Sequence, residues 1–158
     1  MELSNNYYSI AMNDYLYLSY TIELPFYNNI AIACQQIAEK LLKSVGELCA
    51  VSNDVMNSHN LRRLNTDILH TGVDLQLDNR ALSMLKDYYF EARYPGDEFI
   101  VVSKEECAEC VDILNSVIEA VNRFRREKEL PVEEIELKSL KSTEQEEKNG
   151  SGFEDYEE

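Results

Sequence analysis

The sequence predicts an all-α protein, a compact antiparallel bundle of four to five helices. Three observations carry that expectation. Apolar residues recur three and four positions apart along most of the chain. Helix-start and helix-stop residues bracket those runs. The 158 residues include only five glycines and three prolines, with 44% hydrophobic residues, so few positions interrupt regular structure. That length suits one domain around a single core.

The first helix is expected from Tyr8 to Glu23. Its tyrosines (Tyr15, Tyr17, Tyr20) would also suit a strand on propensity, but apolar and polar residues do not alternate there. Such a stripe belongs to a core or an interface rather than a cofactor box. Pro25 suits the first turn of a second helix, whose core row is Ile30, Cys34, Ile37, Leu41, Val45 and Leu48. Gln35, Gln36, Glu39, Lys40 and Lys43 form its opposite, polar side. A short third helix should span Asn60 to His70, capped by Ser58 and closed by Gly72. The fourth begins after Asp78 and reaches Arg93, turning Leu82, Leu85, Tyr89 and Ala92 inward, and Pro95-Gly96 stops it. Residues 97–102, DEFIVV, read as a docked extended loop. Ser103-Lys-Glu-Glu then opens the last helix as a capping box, with Glu106 reaching back to the Ser103 amide. That helix should bury Cys110, Leu114, Val117, Val121 and Phe124.

Charge divides the chain. Residues 129–158 hold eleven acids against three lysines, a net of −8, and read as a disordered acidic tail following a helical domain of residues 1–128. The domain itself is acidic, with nineteen acids against twelve bases, a net of −7. That argues against tight, sequence-independent nucleic-acid binding by phosphate neutralisation, while leaving room for a local basic groove. No 18-residue apolar run suggests a membrane span. The start, MELSNNYYSIAMNDY, lacks the basic and apolar regions of a secretion signal, so the four cysteines are expected reduced, in a cytoplasm. Cys107 and Cys110 spell Cys-x-x-Cys. They fall near the core stripe of their helix, however, and no second pair or suitably spaced histidine completes a zinc site. Cys34 and Cys49 read as small core residues. No metal and no cofactor is expected.

Three blocks then stand in order: CQQIAEKLLKS (Cys34 to Ser44), SHNLRRL (Ser58 to Leu64) and YYFEARYP (Tyr88 to Pro95), followed by the capped last helix. From Asp14 to Val121 this succession resembles the HEPN domain family. The resemblance implies a homodimeric helical bundle associated with RNA cleavage or nucleotide binding, often the partner of a minimal nucleotidyltransferase in a toxin–antitoxin pair. The family's ribonuclease branch uses an Arg-x(4–6)-His motif late in the domain, two copies meeting across the dimer. Here the last helix carries Arg123, Arg125 and Arg126 but no histidine; the chain's two histidines are His59 and His70.

Arg63 and His70 do satisfy the motif's spacing, which on a helix returns to nearly the same face. Histidine could move a proton at a ribose 2′-hydroxyl while arginine steadies phosphate charge. Yet Leu64, not a polar residue, follows Arg63, and the pair comes early in the domain. These two are the candidate catalytic residues of a metal-independent endoribonuclease. Arg93 and Tyr94 close a helix, where a cation complements the dipole; the alternative is a phosphate-capable group beside a stacking surface. Gln36 and Lys40 form a polar strip, a solvated face or else a dimer or ligand contact. His59, beside a cap, reads as an ordinary helix-start residue. The first expectation for function is a nucleotide- or RNA-binding, or nucleotidyltransferase-partner, module without the usual catalytic motif. The alternative is the endoribonuclease.

Overall fold

A computed structural model describes residues 1–135. Among these lie six helices and no strand: α1 (Tyr7–Thr21), α2 (Tyr27–Leu48), α3 (Asn53–Met56), α4 (Leu61–His70), α5 (Asn79–Glu91) and α6 (Lys104–Glu127). The all-α bundle is the architecture the periodicity predicts. α2 is its axis, packing against α1, α4, α5 and α6. It can do so because it is apolar over most of its circumference: Ile30, Ala31, Cys34, Ile37, Ala38, Leu41, Leu42 and Val45 are all buried. α1 and α2 form an antiparallel pair. α2 and α6 run the same way, since Asn28 at the start of α2 meets Val102 just ahead of α6, while Leu48 and Cys49 share a groove with Phe124 and Lys128 at the far ends. The intervening helices α3 to α5 supply the crossover.

Local chemistry explains the ends. The Asn6 side chain accepts from the Ser9 amide at α1, and Asp78 accepts from the Arg80 amide at α5. The capping box at α6 forms in both directions: Ser103 N–H donates to Glu106 at 2.8 Å, and Glu106 N–H donates to Ser103 Oγ at 3.1 Å. The cap of α4 is Asn60 rather than the expected Ser58. Asn60 Oδ1 accepts from Arg63 N at 3.1 Å, and Ser58 instead accepts from the Asn60 amide at 3.1 Å. Gly72 follows the end of α4 with φ +94°, the left-handed conformation glycine adopts without penalty. Pro25 falls one residue ahead of the α2 cap, Phe26, rather than in the first turn.

Other expectations change once neighbours are present. The short α3 is an addition. It lies so close to α2 that a Cβ on Gly46 would come within 2.8 Å of Met56 Sδ. Leu48, placed in the α2 core row, is exposed instead at the last position of the helix, where it lines an open groove with Phe124 and Lys128. In α1, Tyr8 and Tyr15 are buried and donate to Asn122 and Asn115 of α6, each at 2.8 Å, whereas Tyr17 and Tyr20 face outward. DEFIVV docks as expected: Asn28 Nδ2 donates to the Ala92 and Ile100 carbonyls at 3.0 and 2.9 Å, and Val102 N–H donates to Asn28 Oδ1 at 2.8 Å. One side chain thus ties the end of α5 to the segment entering α6.

Residues 129–135 differ from the expected free tail. Leu130 N–H donates to the Arg125 carbonyl and Arg125 Nε to the Pro131 carbonyl, both at 2.8 Å, and Glu133 N–H donates to the Tyr8 hydroxyl at 2.8 Å. The Arg125 guanidinium sits 3.6 Å from the Tyr8 ring centroid, so this short strap is pinned by a stacked cation and by backbone groups that charge counting does not see. The remainder of the expected tail, 136–158, lies outside the described residues.

Candidate functional site

α2 carries two polar stripes, not one. Residues four apart share a helix face, so Gln36 and Lys40 form one stripe and Gln35, Glu39 and Lys43 another. The first lies at the surface near α1, where Lys40 pairs with Asp14. The second, expected to face solvent, is buried: Gln35 is 0% exposed, Glu39 8% and Lys43 6%. The start of α4 and the end of α5 cover it.

Burial of this kind demands partners. Lys43 Nζ donates to Glu39 Oε1 at 2.7 Å, and Gln35 Nε2 donates to Glu39 Oε2 at 3.0 Å. His59, immediately before the Asn60 cap, brings Nδ1 to 3.1 and 3.2 Å from the two Glu39 oxygens. A carboxylate is an acceptor only, so in this contact Nδ1 carries the proton. The amide oxygen of Gln35 is buried without a hydrogen-bond partner. It is the one such side-chain atom among the described residues.

From His59 the cluster opens outward. Its imidazole stacks on the Tyr89 ring, centroids 4.2 Å apart and planes 16° from parallel. The Tyr89 hydroxyl lies 3.4 Å from His59 Nε2. Between nearly parallel rings, that long contact belongs to the stack rather than to an in-plane hydrogen bond. The Arg93 guanidinium lies 5.0 Å from the Tyr89 centroid and 5.9 Å from that of Tyr94. Phe90 meets Tyr89 edge-on at 4.5 Å. Tyr89 therefore leaves the core row assigned to it and becomes the half-buried floor of a polar edge. The geometry offers a cation, an exposed aromatic (Tyr94), and an imidazole fixed by a buried carboxylate.

Arg63 and His70 fall elsewhere. Both are exposed, on α4. Arg63 Nη2 pairs with Asp54 at 2.5 Å, and His70 Nδ1 lies 3.7 Å from Asp67 one turn back on the same helix. No contact between the two joins them among the described residues. Of the six residues singled out by sequence, then, Arg93 and Tyr94 share one edge, Gln36 and Lys40 share the α1-facing stripe, and Arg63 and His70 are each turned to an acid. Glu39, Lys43, Gln35, His59 and Tyr89 were missed as site residues. The four-residue repeat 35–39–43 was the available signal, hidden by merging it with the neighbouring stripe.

Cys34, Cys107 and Cys110 are buried between α2 and α6. Burial pushes the Cys107 thiol up to about 11 and the Cys110 thiol up to about 12, and raises Cys34 as well. Among the described residues no group of three or more His, Cys, Asp or Glu is arranged to hold a metal ion, and no helix is long and apolar enough to cross a membrane. A groove of about 400 Å³ lies between the segment 75–78, α5 and α6. Its arginine, Arg123, donates to the Leu75 carbonyl at 2.9 Å, and Asp112 and Glu119 line it, a poor setting for an anion.

Against known proteins, the family model of the HEPN domain matches residues 4–125. No curated protein matches the chain, and no solved structure does.

Proposed function

The chain belongs to the HEPN domain family, and from that premise we propose that it is a nucleotide- or RNA-binding module whose ligand seats on the edge formed by Arg93, Tyr94, Tyr89 and His59. The observation that carries this reading is the Arg93 guanidinium 5.0 Å from a Tyr89 ring that is itself stacked on His59. Phosphate needs a cation with several donors, a base needs a flat partner, and this edge offers both side by side. Fluorescence anisotropy of a labelled short single-stranded RNA, with adenosine monophosphate as competitor, tests it. Wild type should bind, and Arg93→Ala should bind much more weakly.

From membership of the family we further infer a homodimer in a cytoplasm, partner of a minimal nucleotidyltransferase in a toxin–antitoxin type of pair. The exposed apolar side chains Tyr17, Tyr20, Leu24 and Phe26 around the α1–α2 turn favour association. Light scattering at micromolar concentration should give twice the monomer mass. The endoribonuclease alternative through Arg63 and His70 draws less support, since both are engaged with acids. Gln36 and Lys40 belong with a partner contact, beside the Asp14 pair, rather than with the phosphate edge.

A further inference from the structure

The groove between residues 75–78, α5 and α6 has no part in the phosphate edge, which lies at the other end of α5. Its floor is apolar: Leu77, Ala81 and Ile113 are half-buried, and Leu82 and Val117 are buried. Its α6 wall is acidic. Glu105, Glu109, Asp112, Ser116 and Glu119 step along α6 by four and three, so they share one face, and all five are exposed. Asp112, Ser116 and Glu119 line the groove, and Asp78 lines it from the α5 side.

Folding does not call for that charge. The helix dipole favours an acid in the first turn, as at Glu105, whereas Asp112 and Glu119 stand in mid-helix. Neither makes a salt bridge among the described residues. Asp112 also follows Glu109 by three residues, a like-charge neighbour on one face that costs stability. Arg123, next on the stripe, is committed to the Leu75 carbonyl at 2.9 Å, and it leaves the wall negative.

An apolar floor beside unbalanced acids fits a segment that is apolar on one face and cationic at its flank. We propose that this groove docks a short lysine- or arginine-bearing amphipathic segment of a partner protein. From Asp112 to Arg123 the wall runs about 16 Å, room for about three turns of helix. Apolar residues of the segment bury against Leu77 and Ile113, and its cations meet Asp112 and Glu119. Charge selects against this chain itself as the occupant. Residues 136–158 carry eight acids against three lysines, and a second copy brings a net charge of −15. Docking here is independent of nucleotide binding, since an acidic wall neither needs nor favours phosphate.

The probe is a labelled amphipathic peptide of leucine and lysine, about three helical turns long, followed by fluorescence anisotropy with the full-length protein at physiological salt. Wild type should bind it. Asp112→Lys combined with Glu119→Lys should weaken binding about tenfold or more, because two attractive contacts become repulsive. Glu23→Lys combined with Glu47→Lys changes net charge equally at exposed positions outside the groove. Screening over roughly 8 Å should hold its effect within about twofold. A peptide with serine in place of leucine should bind wild type at least about tenfold more weakly, since the apolar floor then gains nothing. Equal weakening by the two double variants, or equal binding of the serine peptide, overturns the groove, because either means general attraction to an acidic surface. Absence of binding by wild type overturns it too. Sedimentation gives the remaining outcome: a wild-type dimer that Asp112→Lys with Glu119→Lys converts to monomer assigns the groove to a second copy and overturns the partner.

Discussion

The two histidines sit about a helix length apart and have opposite surroundings. His70 lies at the end of α4, its side chain 72% exposed, with only Asp67 of its own helix nearby. His59 lies ahead of the same helix, half-exposed, and is held by two other elements: Glu39 of α2 meets its Nδ1, and Tyr89 at the end of α5 covers its face. His70 has an arginine at a suggestive spacing in sequence, whereas His59 shares the Tyr89 ring with Arg93, thirty-four residues on. The difference teaches that linear motif spacing is a weak guide once both residues are on the surface of one short helix. What prepares a histidine for work is a fixed second partner, which here comes from another helix.

The largest expected effect that could break this comparison is on the buried side of the His59 edge. Glu39→Ala strands Lys43 in the interior, and removing one partner of a buried pair costs about 3–5 kcal/mol. Denaturant unfolding should show that loss. A cost under about 1 kcal/mol would mean that water reaches the stripe and that His59 is no better held than His70.

Alkaline pH should come next, acting on the α2–α6 core rather than on either histidine. Cys107 and Cys110 ionise near 9.0 in an unfolded chain but only at about 11 and about 12 when folded, and burial likewise lifts Tyr15 and Tyr88 from 10.0 to about 12. Between those values the folded state holds protons the unfolded state has lost, so stability falls as pH rises. The melting temperature should be flat near neutrality and drop steeply from about pH 9 upward. Thiol reagents should leave the three buried cysteines unmodified at neutral pH until the protein unfolds.

A smaller effect sharpens the functional side. Arg93→Ala should weaken RNA or nucleotide binding about tenfold or more, the worth of a charge-assisted contact to phosphate, with little change in melting temperature. The smallest effects belong to the other pair: Arg63→Ala and His70→Ala should each shift stability by no more than about 0.5 kcal/mol and leave binding unchanged. Metal-independent RNA cleavage that vanishes in His70→Ala but persists in Arg93→Ala would reverse the ranking of the two regions.

Much of this was legible before any neighbour was known. The rows Ile30–Cys34–Ile37–Leu41 and Cys110–Leu114–Val117–Val121 announce helices because burial of one face imposes a spacing on the chain itself. Ser103, Glu106 and Asp78 mark starts because caps act within four residues. The three quoted blocks carry the family, and Arg93-Tyr94 could be named as an edge because a helix must end before Pro95. Up to this point the interactions are local, and sequence order encodes local interactions.

Tertiary structure alone decided the rest. Whether Glu39 faces water or Lys43 faces the interior depends on what covers α2 on that side, and the cover comes from Tyr89 and His59, fifty and twenty residues away. Tyr89 reads as core on α5 and is instead a half-buried platform because the His59 ring stacks on it. The strap of residues 129–135, acidic by count, is held by Tyr8 and Arg125 through backbone groups, which leave no trace in composition. In each case the free energy comes from matching a polar group to a partner far along the chain, and no local pattern records which distant residue will arrive.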